Sequence, residues 1–178
     1  TTALDSMCGR FMLIAIRRNN YKEANEYYTS VLFGDWMLAA LFFLPVLVLI
    51  IKLDNFIQVS QGMLIDVQIL FALVFANFFL SLCMPKWSNS TYSTNRLYLR
   101  SVKTAITTVI RAFLIVIAYK YLPAYAFYVA LAGVVATIIN LLIEYYYKTI
   151  LLSFLKIDKQ YFDWMKIKTL ISSGIWNT

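Results

Sequence analysis

Four stretches of this chain, 29–51, 63–84, 103–122 and 124–147, are apolar almost throughout, and each is long enough to cross the hydrocarbon of a bilayer. A helix rises 1.5 Å per residue, so about 20 apolar residues make the crossing. No water is present there to hydrogen-bond the backbone, and a helix satisfies its own polar groups within one segment. The chain is therefore expected to be all-α, a polytopic transmembrane helix bundle. Composition agrees, because only 14% of its 178 residues are charged, against about 25% in a soluble domain.

The remaining segments are read around those spans. Residues 1–18 form the last turns of a helix, with Met7, Phe11 and Ile14 on its apolar face and Arg17-Arg18-Asn19-Asn20 at its end. Residues 21–28 read as a polar-aromatic linker, 52–62 as a short polar loop and 85–102 as the longest polar segment. The run 151–168 carries too many charges to cross, yet Phe154, Leu155, Tyr161, Phe162 and Met165 recur at helical spacing. That pattern predicts an interfacial helix lying among the headgroups. Residues 170–178 read as the first turns of a further span. The chain opens on a helical pattern without an initiator Met and stops just after another begins, so it is expected to be a piece of a longer protein.

Lysine and arginine set the orientation. Alternate connections hold Arg10, Arg17, Arg18 and Lys22, then Lys86, Arg96, Arg100 and Lys103, then Lys148, Lys156, Lys159, Lys166 and Lys168, which makes thirteen. The opposite connections hold two, Lys52 and Lys120. Basic loops stay in the cytoplasm, so the thirteen are predicted to be cytoplasmic. The net charge of +7 then follows from topology and contact with anionic membrane lipid, and no nucleic-acid partner is implied.

Inside the third span stands Arg111. A central arginine costs at least ~2.5–3.5 kcal/mol on the insertion scale, so it turns toward protein or trapped water. At about 100° per residue Thr104, Thr107, Thr108 and Arg111 share one face, and they occupy the first half of the span. Two readings follow. The guanidinium, about 12 Å from Lys103 along the axis, could snorkel back or join a structural ion pair. Alternatively it attracts an anion into a cavity that enters from the basic side.

The other spans carry one or two polar groups each. Asp35 lies near the start of the first, which also contains Pro45; Asp66, Asn77 and Ser81 share a face of the second. Gly133, Thr137, Asn140 and Glu144 line a face of the fourth. Such stripes either glue helices together or line a pathway. Asn77 and Asn140 are candidates for substrate contact, and Asp35, Asp66 and Glu144 for ion coupling. Cys8 and Cys83 read as small packed hydrophobes. With no His, scattered acids and no Gly-rich phosphate loop, neither a metal site, a cofactor nor an enzyme's constellation is expected.

Several of these runs resemble a known family. GRFMLIAIRRNNYKEANEYYTSVLFGDW is similar to the end of helix 2 and start of helix 3 of Wzx-type oligosaccharide flippases. LFALVFANFFLSL, followed by YSTNRLYLRSVKTAITTVIRAFLI, resembles their helix 4, cytoplasmic loop and helix 5, and LISSGIWNT the start of their helix 7. These proteins belong to the MOP exporter superfamily (the MATE-like transporters), built as two six-helix lobes. The resemblance implies a piece of the N-terminal lobe of a multi-pass protein of the bacterial plasma membrane. It implies alternating-access transport of undecaprenyl-pyrophosphate-linked sugar units for surface polysaccharide, alongside other polysaccharide-assembly proteins. Arg111 matches an intramembrane arginine of helix 5 in that family, and Arg10, in the GRF run, is the next candidate for substrate contact. The alternatives are a cation-coupled drug antiporter of the same superfamily and a membrane polysaccharide polymerase or acyltransferase. The last would need a long outer loop, and the outer connections here are short.

Overall fold

The computed structural model describes residues 2–57 and 61–176. Its helices are α1 (Thr2–Arg17), α2 (Tyr21–Ile51), α3 (Leu53–Phe56), α4 (Leu64–Cys83), α5 (Asn89–Ser93), α6 (Leu97–Tyr121), α7 (Phe127–Leu151) and α8 (Trp164–Trp176), and the described residues contain no strand. The four expected spans lie in α2, α4, α6 and α7, each long and apolar enough to cross a membrane. The all-α polytopic bundle is the fold.

Burial runs opposite to that of a soluble bundle. The buried residues of α6 are Lys103 and Thr107, and those of α7 are Ala130, Ala132, Gly133, Ala136 and Glu144. Large apolar side chains face outward instead, Leu44, Val109, Phe113 and Leu142 each above 60% exposed. Small and polar groups inside, with bulky ones outside, are what lipid favours, since it solvates Leu as well as a core does. The apolar core sits at the basic end, where Met7, Cys8, Met12, Tyr27, Tyr28, Val31, Leu152, Leu155 and Leu170 cluster.

Two sequence readings change. Residues 21–28 are no linker but the first turns of α2. Asn19 takes a left-handed conformation, φ 56°, and the Asn20 amide donates back to the Ala15 carbonyl at 2.9 Å, closing α1. That geometry suits asparagine. Asn20 then starts α2, its side-chain oxygen accepting from the Glu23 amide at 3.2 Å and its amide group donating to the Glu23 carboxylate at 3.0 Å. One asparagine ends a helix and the next begins another.

The second change concerns 151–168, which is not an interfacial helix. α7 continues to Leu151; the segment after it is irregular apart from a 3₁₀ turn at Lys159–Tyr161, and α8 begins at Trp164. The polar face of α2 explains this. Asn25 accepts from the Lys156 amide at 2.8 Å and donates to the Phe154 carbonyl, and Thr29 donates to the Lys156 carbonyl. The Ser30 hydroxyl accepts from the Asp163 amide at 2.9 Å. Backbone groups that a helix would have paired internally are satisfied from α2, so the helix loses its advantage. Asp163 caps α8 through the Met165 amide at 2.8 Å, and Lys166 bridges to Glu23 at 3.0 Å and Glu26 at 3.7 Å. Of the remaining readings, 58–60 in the 52–62 loop and 177–178 in the last run lie outside the described residues.

The basic end is predicted to face the cytoplasm, and exposed Arg96 reports it. A cysteine there, with Cys8 and Cys83 replaced by alanine, is expected to resist a membrane-impermeant thiol reagent on intact cells and to label after permeabilisation. Labelling from outside would reverse the topology.

Candidate functional site

α7 packs on both α4 and α6, and its narrow stripe of small residues leaves a polar cleft between the three. In the deeper part, a cavity of about 230 Å³, α4 contributes Asn77 and Ser81, α6 contributes Thr107, Thr108 and Arg111, and α7 contributes Gly133, Thr137 and Asn140. The Arg111 guanidinium lies across Gly133, 3.9 Å from where a Cβ would stand. Any side chain larger than methyl at position 133 would occupy the arginine's place. Asn77's side-chain oxygen is buried there with no hydrogen-bond partner among the described residues.

Ser81, Thr137 and Asn140 continue into a second cavity of about 260 Å³ toward the basic end, where Phe78, Lys86, Ser88 and Glu144 join them. The cleft thus runs from Arg111 to the basic mouth without leaving polar side chains.

Its charges are placed unequally. Glu144 is buried in an ion pair with Lys103, one helix over, and Asn140 adds a weaker contact at 3.4 Å. Lys103, read from sequence as a marker of the membrane edge, is therefore an internal cation two turns into α6. Asp35, fully buried on α2, faces the Lys86 ammonium at 3.3 Å, while that ammonium also donates to the Ser81 carbonyl at 3.0 Å. A lysine folded back on the last turn of α4 complements the helix dipole as well.

Asp66 lies at the other end of the bundle. Its two carboxylate oxygens accept from the Ala126 amide at 2.9 Å and the Phe127 amide at 3.2 Å, so it caps α7 from a neighbouring helix. The stripe Asp66–Asn77–Ser81 is therefore divided between two jobs, a cap at one end of α4 and a cavity wall further along. Arg10 is exposed on α1, which packs against α2, α5 and α8, and it lines neither part of the cleft.

The three intramembrane carboxylates proposed for ion coupling are thus each engaged, Asp35 and Glu144 by lysines and Asp66 by a helix end. Arg111 has no carboxylate within ion-pair distance among the described residues. The sequence reading that puts Arg111 in a structural ion pair does not match this arrangement. Sequence reasoning missed Lys103 and Lys86 as members of the site. The available signal was spacing: Lys103, Thr107 and Arg111 follow one another at four-residue intervals, so they climb the same face of α6.

Chemically, the cleft offers one uncompensated guanidinium at depth, hydroxyls and amides along its walls, and two neutralised ion pairs near its mouth. A guanidinium of this kind is suited to a dense anion held at two points.

Among known proteins the chain is similar to the uncharacterized membrane protein EpsK of Bacillus subtilis (strain 168), 23% identical over 178 residues. That match takes in the whole of this chain and 35% of the relative, so the chain spans about a third of the length of the protein it matches. No family model matches, and no solved structure matches.

Proposed function

We propose that this chain is the N-terminal-lobe part of a flippase that moves undecaprenyl-pyrophosphate-linked oligosaccharide across the bacterial plasma membrane, a transporter and not an enzyme. The observation that carries the reading is the unpaired Arg111 in a polar cleft whose one lining acid among the described residues, Glu144, is already paired with Lys103. A positive charge at membrane depth without a protein counter-ion is costly, and a pyrophosphate that enters the cleft relieves that cost. The likeness to a full-length membrane protein about three times as long supports a pathway completed by helices outside this chain. The resemblance of its runs to Wzx-type flippases supports the lipid-linked sugar as cargo.

A drug antiporter would need a carboxylate free to exchange protons or Na⁺, and the engaged states of Asp35, Asp66 and Glu144 give that reading less support. The deciding experiment is reconstitution of the full-length protein in liposomes carrying undecaprenyl-pyrophosphate-linked oligosaccharide, with the sugar on one leaflet read by an impermeant lectin. Movement above protein-free vesicles is the expected result. Equal rates with and without protein overturn the proposal.

A further inference from the structure

The cavity nearer the basic end has a chemistry distinct from the Arg111 cavity beside it. It is lined by Phe78 and Ser81, one turn apart on α4, and by Ser88, Thr137 and Asn140. Serine and threonine inside helices commonly turn their hydroxyls back to the preceding turn's carbonyl. Thr104, Thr107, Thr149 and Thr169 do so here. Ser81 and Thr137 do not, and the Ser88 hydroxyl, at the start of α5, makes no capping bond either. Asn140 gives one N–H to Glu144 and keeps its carbonyl oxygen uncommitted. Three hydroxyls without a helix-internal partner and an amide thus line a space that Phe78 also lines.

Electrostatics narrows the occupant. Lys86 and Glu144 both line the space, and each is matched across a helix boundary, by Asp35 and Lys103 respectively. The local fixed charge sums to zero, in contrast to the bare cation at Arg111. A ligand with its own carboxylate would have to break one of those pairs, and a purely apolar ligand would leave the hydroxyls dry. A ring with polar edges and an apolar C–H face meets both demands. At about 260 Å³ the cavity admits one such ring and not a chain of them.

We infer that this cavity is a subsite for a single neutral sugar ring, the one attached directly to the pyrophosphate, stacked on Phe78 and hydrogen-bonded by Ser81, Ser88, Thr137 and Asn140. The inference rests on the proposed flippase function and adds to it the class of the first sugar. Ser81, Thr137 and Asn140 belong to both cavities, so a phosphate at Arg111 and the ring bonded to it occupy adjoining spaces.

The test uses the full-length protein in lipid nanodiscs and three probes: undecaprenyl pyrophosphate alone, the same lipid bearing one neutral hexose, and the same lipid bearing one hexuronic acid. The neutral sugar is expected to tighten binding about tenfold over the bare lipid, and the uronic acid is not. Phe78→Leu and Ser88→Ala, which touch only the sugar cavity, should each reduce that gain while leaving the bare lipid's affinity unchanged. The unchanged affinity also shows that the variants fold. Equal affinity for bare and sugar-bearing lipids, or a preference for the uronic acid, overturns the inference and leaves the flippase reading standing. Failure of all three lipids to bind removes the flippase reading itself.

Discussion

Arg111→Ala is expected to abolish translocation while the protein inserts and folds as before. Its guanidinium has no carboxylate partner among the described residues, so no fold-stabilising ion pair goes with it. Loss of an intramembrane charge eases insertion, by ~2.5–3.5 kcal/mol on the insertion scale. The cargo loses a bidentate clamp instead. Two hydrogen bonds to a charged group, at about 1.5–3 kcal/mol each, set the loss at roughly a hundredfold or more in affinity. Arg111→Lys keeps the charge but not the planar fork, and an intermediate rate follows. Export in a strain lacking the native protein, with membrane abundance measured in parallel, checks both variants. Asp35→Asn and Glu144→Gln are not expected to rescue Arg111→Ala, since those acids answer to Lys86 and Lys103. Rescue by either would make the arginine a structural partner.

The largest stability effect belongs to Lys103 and Glu144. Both side chains are nearly inaccessible, 6% and 10% exposed, so each alone would be a buried charge without a counter-charge. Lys103→Met is expected to cost about 3–5 kcal/mol, and Glu144→Gln a comparable amount. The double variant Lys103→Met/Glu144→Gln removes both charges together and should recover most of that loss, because replacing a whole buried pair is often close to neutral. Thermal unfolding of the four proteins in nanodiscs closes the cycle. Additive losses in the double variant would mean that the two groups do not depend on each other.

The spans were legible from hydropathy because lipid imposes one simple demand on a long run of residues. The bias of lysine and arginine adds an expected orientation, which thiol labelling at position 96 tests. Arg111, Asn77 and Asn140 were readable singly as polar groups at membrane depth, and the packing of α7 on α4 and α6 brings the three to one cavity. What escaped the sequence depended on partners far along the chain. The segment after Leu151 has the periodicity of a helix, but Asn25, Thr29 and Ser30 offer its backbone a competing set of bonds, and no local pattern announces that. Asp66 looked like a pathway group because it shares a helix face with Asn77; only the packing of α4 on α7 brings the start of α7 to its carboxylate. Lys103 fitted the bias of the basic loops, which concealed its second role as the counter-ion of Glu144.

The bonds from α2 to the segment after Leu151 also bear on how the protein is made. Asn25 meets Lys156 across 131 positions and Ser30 meets Asp163 across 133, so a ribosome finishes α2 long before its partner exists. During that interval the first turns of α2 have no neighbour from the later chain. Tyr27, Tyr28 and Val31 already have Met7, Cys8 and Met12 of α1 beside them, and the docking groups that wait are Glu23, Asn25, Glu26, Thr29 and Ser30, which water solvates without strain. An apolar seam in their place would be drawn into the adjacent bilayer, or onto any exposed greasy surface, before its mate emerged. Polar docking therefore lets the early helices insert and wait, and the late segment closes the basic end when it arrives.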